Sequence, residues 1–134
     1  MKPLVLPELR FRRLWLSLGM FMVLAITVVC LLPSKDLPAL GVSDKIEHAV
    51  AFGALAFWFG SIVVRVDLPW VGMAVVVFGG LIELAQGALG GGRDAEWGDL
   101  AADAVGAALG IALVMTPLGR WAHWLEAQVQ KDRS

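Results

Sequence analysis

Tyrosine is absent from this chain of 134 residues, and cysteine occurs once, as Cys30. A single cysteine cannot close a disulfide within the chain, so no cystine framework organises it. Cys30 lies in an apolar run and reads as a small buried hydrophobe. Charge is scarce as well: 17% of residues are charged against 58% hydrophobic, with a mean hydropathy of +0.73. A soluble domain is about a quarter charged, so lipid is the expected solvent. The net charge of −1 removes the electrostatic case for nucleic acid as a partner. Phosphate loop, dinucleotide fingerprint and serine-nucleophile motif are all missing. So are the internal repeats of secondary transporters and the ligand spacing of zinc sites. The sequence therefore names no cofactor and no metal, and leans away from an enzyme.

What remains is a set of apolar runs at about 14–32, 45–65, 70–89 and 99–116. Helices of this length match a hydrocarbon core of about 30 Å at about 1.5 Å per residue. The first run resists reading as a cleaved signal peptide. It is longer than such a segment and ends in Leu31-Leu32-Pro33 rather than at a small-residue cleavage site. Breakers separate the runs: Pro33, Pro38 and Gly41, then Pro69, then Gly90-Gly91-Gly92, then Pro117 and Gly119. The expected fold is all-α, an integral membrane bundle of four transmembrane helices forming one domain over 1–134. A C-terminal interfacial helix is expected to follow, with Trp121, Trp124, Leu125 and Val129 near one face.

Lysine and arginine give the direction of the spans. Eight fall in the N-terminal tail, the Arg65 link and the C-terminal tail; three, Lys35, Lys45 and Arg93, fall in the other two loops. Both termini are expected in the cytoplasm. Trp15, Trp70, Trp121 and Trp124 then sit at the inner interface and Trp97 at the outer one, while Trp58 fits neither belt and is expected to pack between helices or against acyl chains.

The stretch Gly79 to Gly110 is apolar enough to enter a membrane, yet it carries Glu83, Gln86, Arg93, Asp99 and Asp103. Charge within a bilayer is costly and is usually functional. With this topology the polar residues of spans two, three and four gather toward the outer face. Asp44 and His48 share a helix face four residues apart, Glu83 and Gln86 are three apart, and Asp99 and Asp103 are four apart. Small residues accompany them: Ala49, Gly53 and Gly60 on span two, Gly79 on span three, Gly106 and Gly110 on span four. Asp44 and Asp99 double as helix caps. Glu83 and Asp103 lie inside their spans and need a proton or a partner. Arg93 is the natural partner, with Lys45 and His48 in reserve. The candidate pocket is therefore Asp44, Lys45, His48, Glu83, Gln86, Arg93, Asp99 and Asp103.

The order Asp44-Lys45-x-x-His48, Glu83-x-x-Gln86, Gly92-Arg93 and Asp99-x-x-x-Asp103-x-x-Gly106-x-x-x-Gly110 resembles the VanZ-like family of small bacterial membrane proteins. The likeness runs from about Leu14 to Met115. It implies a four-helix domain of the bacterial cytoplasmic membrane and a role in the cell envelope, a family theme that includes glycopeptide resistance. Where that family usually shows asparagine this chain has Asp103, which adds an ionisable group and changes the charge balance.

Three functions follow as expectations. In the first, the pocket handles a lipid or cell-wall precursor headgroup: Arg93 and Lys45 hold phosphate, and His48, Glu83, Asp99 and Asp103 orient it or move protons. In the second, His48, Glu83, Asp99 and Asp103 ligate a metal for a hydrolase or transferase. In the third, the charged cluster locks helix packing or docks a partner. The expected partners are membrane lipids, with no nucleic acid.

Overall fold

The computed structural model describes residues 6, 8–32, 41, 43–89 and 96–132. Apolar continuity makes the helices. Helix α1 is Arg12–Leu31, α2 is Asp44–Ile62, α3 is Leu68–Leu89, α4 is Trp97–Val114 and α5 is Trp121–Lys131. Short 3-10 turns at Arg65–Asp67 and Pro117–Arg120 join α2 to α3 and α4 to α5. No strand occurs among the described residues. Helix α2 stops at Ile62 because Val63 and Val64 are extended. Helix α4 stops at Val114, and Thr116 caps the following turn by accepting from the Leu118 N–H at 3.2 Å.

Among the described residues three helices are long and apolar enough to cross a membrane: Arg12–Leu31, Trp97–Val114 and the run Arg65–Leu89 that contains α3. Their outward faces carry exposed Phe21, Leu24, Met73, Leu81, Leu84 and Leu109. Water would not tolerate so much apolar surface; lipid does. This is a membrane protein. Helix α2 has 19 residues against 18 in α4, but its start holds Asp44, Lys45, Glu47 and His48, and that polar start sets it apart from the other three.

Contacts between distant residues fix the topology. The start of α2 lies beside the start of α4 through His48 and Asp103. The end of α3 meets the end of α1 where Gln86 donates to the Cys30 carbonyl at 2.9 Å. At the opposite end, the Leu6 N–H bonds to the Ile62 carbonyl and α5 meets the start of α1. The four long helices therefore alternate in direction, and the described residues nearest both termini share one end. Two apolar cores result. One joins Leu9, Trp15, Ile62, Leu68, Val114 and Ala122 at the terminal end; the other joins Phe52, Leu55, Ala56, Val75, Ile82 and Ala107 nearer the polar end.

Tightest of all is the contact of α2 with α4. A Cβ on Gly106 would run into the Ala49 carbonyl, and one on Gly110 into the Gly53 carbonyl. The small stripes expected on these two helices meet each other, backbone against backbone.

Trp58 packs between helices, as its place in the sequence suggested. Its ring lies 6.0 Å from Trp15 and 4.8 Å from Trp121, and its indole N–H donates to the Trp15 carbonyl at 3.1 Å. Trp15 is buried and leaves the interfacial belt, whereas Trp70 and Trp97 are exposed.

Helix α5 turns an unexpected side inward. Ala122 and Glu126 are buried, while Trp124, Leu125 and Val129 stay exposed. The Glu126 carboxylate accepts from the Arg10 N–H at 2.7 Å, the Phe11 N–H at 2.9 Å and the Trp15 indole N–H at 2.7 Å. Phe11 is the N-cap of α1 and offers no side-chain cap of its own. Glu126, from α5, instead binds the N–H groups of the N-cap and the residue before it, where the helix dipole favours negative charge.

Burial pushes the Glu126 carboxyl up, but the Phe11, Arg10 and Trp15 donors outweigh it and hold the group below its ordinary value. Its stabilising contribution is full above the ordinary carboxylate range and is lost as pH falls through the lowered folded value. Glu126→Gln is expected to destabilise the docking of α5 by about 1–3 kcal/mol near neutrality, and to flatten the acid limb of the stability curve. Tryptophan emission from the Trp15–Trp58–Trp121 cluster, followed against pH and denaturant in detergent, measures both.

Candidate functional site

Helices α2, α3 and α4 each send polar side chains to the same buried place. From α2 comes His48, 3% exposed; from α3, Glu83, 6% exposed; from α4, Asp99, 5% exposed, and Asp103, fully buried. His48 Nδ1 and Asp103 Oδ1 share a hydrogen bond of 2.9 Å. The His48 ring stacks on Phe52 one turn later, with 5.9 Å between centroids and 6° between planes, which fixes its orientation. Asp103 can lie against α3 because position 79 is glycine: a Cβ there would fall on the Asp103 carboxylate. Glu83 Oε2 accepts the Glu96 N–H at 2.8 Å, so a residue of α3 closes the start of α4. One ligand-type atom from each of His48, Glu83 and Asp103 lies within 4.8 Å of the others.

The other candidate residues take different places. Asp44 is exposed at the rim, as the first residue of α2 after its N-cap, Ser43; it still groups with His48 and Asp99 within 4.8 Å. Asp99 is the third residue of α4 rather than its cap, which is Glu96. Lys45 is engaged by carboxylates: Nζ lies 2.9 Å from Glu96 Oε2 and 3.4 Å from Asp99 Oδ1. Gln86 is buried but turns toward α1 and the Cys30 carbonyl. Arg93 lies outside the described residues. Glu96 was not among the expected site residues. Its position just ahead of span four was the available signal, and the Lys45 ammonium beside it holds its carboxyl below the ordinary value.

Among the described residues the cluster is short of donors. Asp99 Oδ1 has the Lys45 ammonium at 3.4 Å, while His48 Nε2, Glu83 Oε1 and Asp103 Oδ2 are buried without a hydrogen-bond partner. Such atoms are rare in folded proteins because each carries a desolvation penalty of about 1–3 kcal/mol. Two larger apolar grooves flank the cluster, beside a smaller one of about 190 Å³ between α1 and α2 that includes Asp44 and His48. One, of about 620 Å³ between α2 and α4, has Lys45 as its only charged lining residue. The other, of about 440 Å³ between α3 and α4, includes Leu81, Leu84 and Leu100 and reaches Glu83 and Glu96.

Helix packing and carboxylate placement are coupled at Gly79. Gly79→Ala is expected to lower the thermal midpoint, and Asp103→Ala added to it should recover part of the loss. A double-mutant cycle in detergent should give a coupling of about 0.5–3 kcal/mol. Comparison with family models, with curated proteins and with solved structures finds no match to this chain.

Proposed function

We propose that this chain is a four-span protein of the bacterial cytoplasmic membrane, VanZ-like in kind, whose outer-side polar cluster handles the headgroup of a lipid or a lipid-linked cell-wall precursor. The observation that carries this reading is the convergence of His48, Glu83, Asp99 and Asp103 with unpartnered buried atoms. A purely structural lock would use up its own donors and acceptors. Among the described residues this cluster leaves several without a partner.

Helix α2 serves as the fourth span. Its 19 residues extend about 28 Å at 1.5 Å per residue. From Ala49 onward it is uncharged, and it packs along α4 for its length. Its polar first turn then sits at headgroup level. The excess of lysine and arginine around the termini orients both toward the cytoplasm. The groove between α3 and α4 offers an acyl chain an apolar track that ends at Glu83 and Glu96. Lys45 is already held by two carboxylates, so direct capture of phosphate by Lys45 is not favoured. The described cluster is acidic and suits a headgroup amine, or a phosphate accompanied by a cation.

The packing reading keeps one specific support: Glu83 and Gln86 both bond across helices to backbone groups. Susceptibility separates the two readings. In a strain whose deletion of this protein alters sensitivity to an envelope-acting antibiotic, wild-type chain should restore it. Glu83→Gln and Arg93→Lys should fail to restore it while reaching normal membrane levels. Full restoration by both variants rejects the headgroup reading; loss of the protein from the membrane supports the packing reading.

Orientation has its own measurement. With Cys30→Ser as background, Ser43→Cys at the start of α2 is expected to react with a membrane-impermeant maleimide added to intact spheroplasts. Protection there, with labelling only after lysis, would reverse the topology.

A further inference from the structure

We propose that His48, Glu83 and Asp103 form a binding site for a first-row divalent metal ion, Zn²⁺ or Mn²⁺, closed between α2, α3 and α4. The inference stands on the geometry of these three side chains and does not require the headgroup reading.

Among the described residues, Glu83 and Asp103 are each held through one oxygen and bare at the other, and His48 is held against Asp103. Glu83 is held through Oε2 by the Glu96 N–H, and its Oε1 is unpartnered. Asp103 meets His48 through Oδ1, and its Oδ2 is unpartnered. His48 uses Nδ1 for that contact and stacks on Phe52, while Nε2 is unpartnered. All three side chains are more than nine-tenths buried. Carboxylates with a bare oxygen beside an oriented imidazole are what a metal centre requires, and the Glu96 N–H on Glu83 and the Phe52 ring against His48 fix two of the ligands from outside the set.

Charge points the same way. Lys45 lies against Glu96 and Asp99, and no other described lysine or arginine makes an ion pair with the cluster. Glu83 and Asp103 together carry two negative charges when ionised. A divalent ion cancels both, and a buried site of zero net charge avoids the penalty of unpaired carboxylates. A proton shared between His48 and Asp103 satisfies Oδ1 but leaves Glu83 Oε1 and Asp103 Oδ2 bare.

The donor set selects the ion. One imidazole nitrogen with carboxylate oxygens suits zinc and manganese. Calcium takes six to eight oxygens, and magnesium keeps its waters. At metal–ligand bonds of about 2.0–2.2 Å, ligand atoms sit about 3–3.5 Å apart. The 2.9 Å contact is between His48 Nδ1 and Asp103 Oδ1, so an ion held by His48 Nδ1 and Asp103 takes the place of that hydrogen bond; the three-residue set lies within 4.8 Å, and Glu83 closes in by about an ångström or two. Asp99, with Asp44 on the rim, borders His48 and offers a further carboxylate to an incompletely filled coordination sphere.

The test uses the full chain, purified in detergent, stripped with chelator and then given ZnCl₂ or MnCl₂ alone. After desalting, elemental analysis is expected to find one equivalent of one of these ions. The thermal midpoint should rise with ion concentration as binding linkage requires. Glu83→Gln and Asp103→Asn, checked for helical content by circular dichroism, should weaken binding by about tenfold or more. Asp67→Asn, in the 3-10 turn at the other end, should bind as wild type does. Should either pocket variant misfold, the stripped wild type alone decides through its midpoint shift and stoichiometry. Absence of a retained equivalent in folded wild type overturns the site, as does wild-type affinity in both folded pocket variants. Metal retention is read without any lipid, so its failure leaves the antibiotic phenotype untouched, and the two proposals fall separately.

Discussion

Gly106 and Gly110 of α4 lie against the backbone carbonyls of Ala49 and Gly53 on α2. The two contacts repeat after four residues on both helices, so one register serves a full turn of each. At this separation weak Cα–H···O contacts add to dispersion, and no side chain intervenes. His48 reaches Asp103 across the same seam, just beyond the first glycine contact. A larger residue in the seam would separate the helix axes and with them the imidazole from its carboxylate. The polar cluster is thus a consequence of close apolar packing, not an alternative to it.

Around that seam the bundle closes its helix ends in an unusual way. The N-caps of α1, α2 and α4 are Phe11, Ser43 and Glu96, and none caps its helix with its own side chain. Side chains from other helices do part of this work. Glu126 of α5 serves the start of α1, Glu83 of α3 serves the start of α4, and Gln86 of α3 serves the end of α1. Helix ends closed off by neighbouring helices have little access to water, so their backbone groups are satisfied by protein. Polar residues that look misplaced in an apolar sequence are in part the partners those ends require.

Much of this could be read from the chain. Long apolar runs disclosed α1, α3 and α4 to within about two residues, because hydrophobic length is a direct physical requirement of the bilayer. The small-residue stripes on α2 and α4 were visible as spacing, and they meet. The grouping of His48, Glu83, Asp99 and Asp103 followed from folding the spans back on one another. Other features were out of reach. The first turn of α2 made its apolar part short, and nothing in the sequence tells how deep such a helix sits. Lys45 looked free to hold a phosphate because its partner Glu96 stood in a loop. Glu126 was hidden because its bond partners lie more than a hundred positions earlier and its helix looked like an amphipathic tail. Spacing reports which residues share a face, but it does not report which distant backbone group lacks a partner.

The bond between Glu126 and the entry of α1 also bears on the order in which the chain is made. Helix α1 leaves the ribosome before α2 to α5, with the N–H groups at its entry waiting for a carboxylate that has not yet been synthesised. Until α5 emerges, those groups have to be met by lipid headgroups or water at the membrane surface. Docking of α5 then clasps α1 to a helix made after all the other described ones, together with the packing of Trp121 and Ala122.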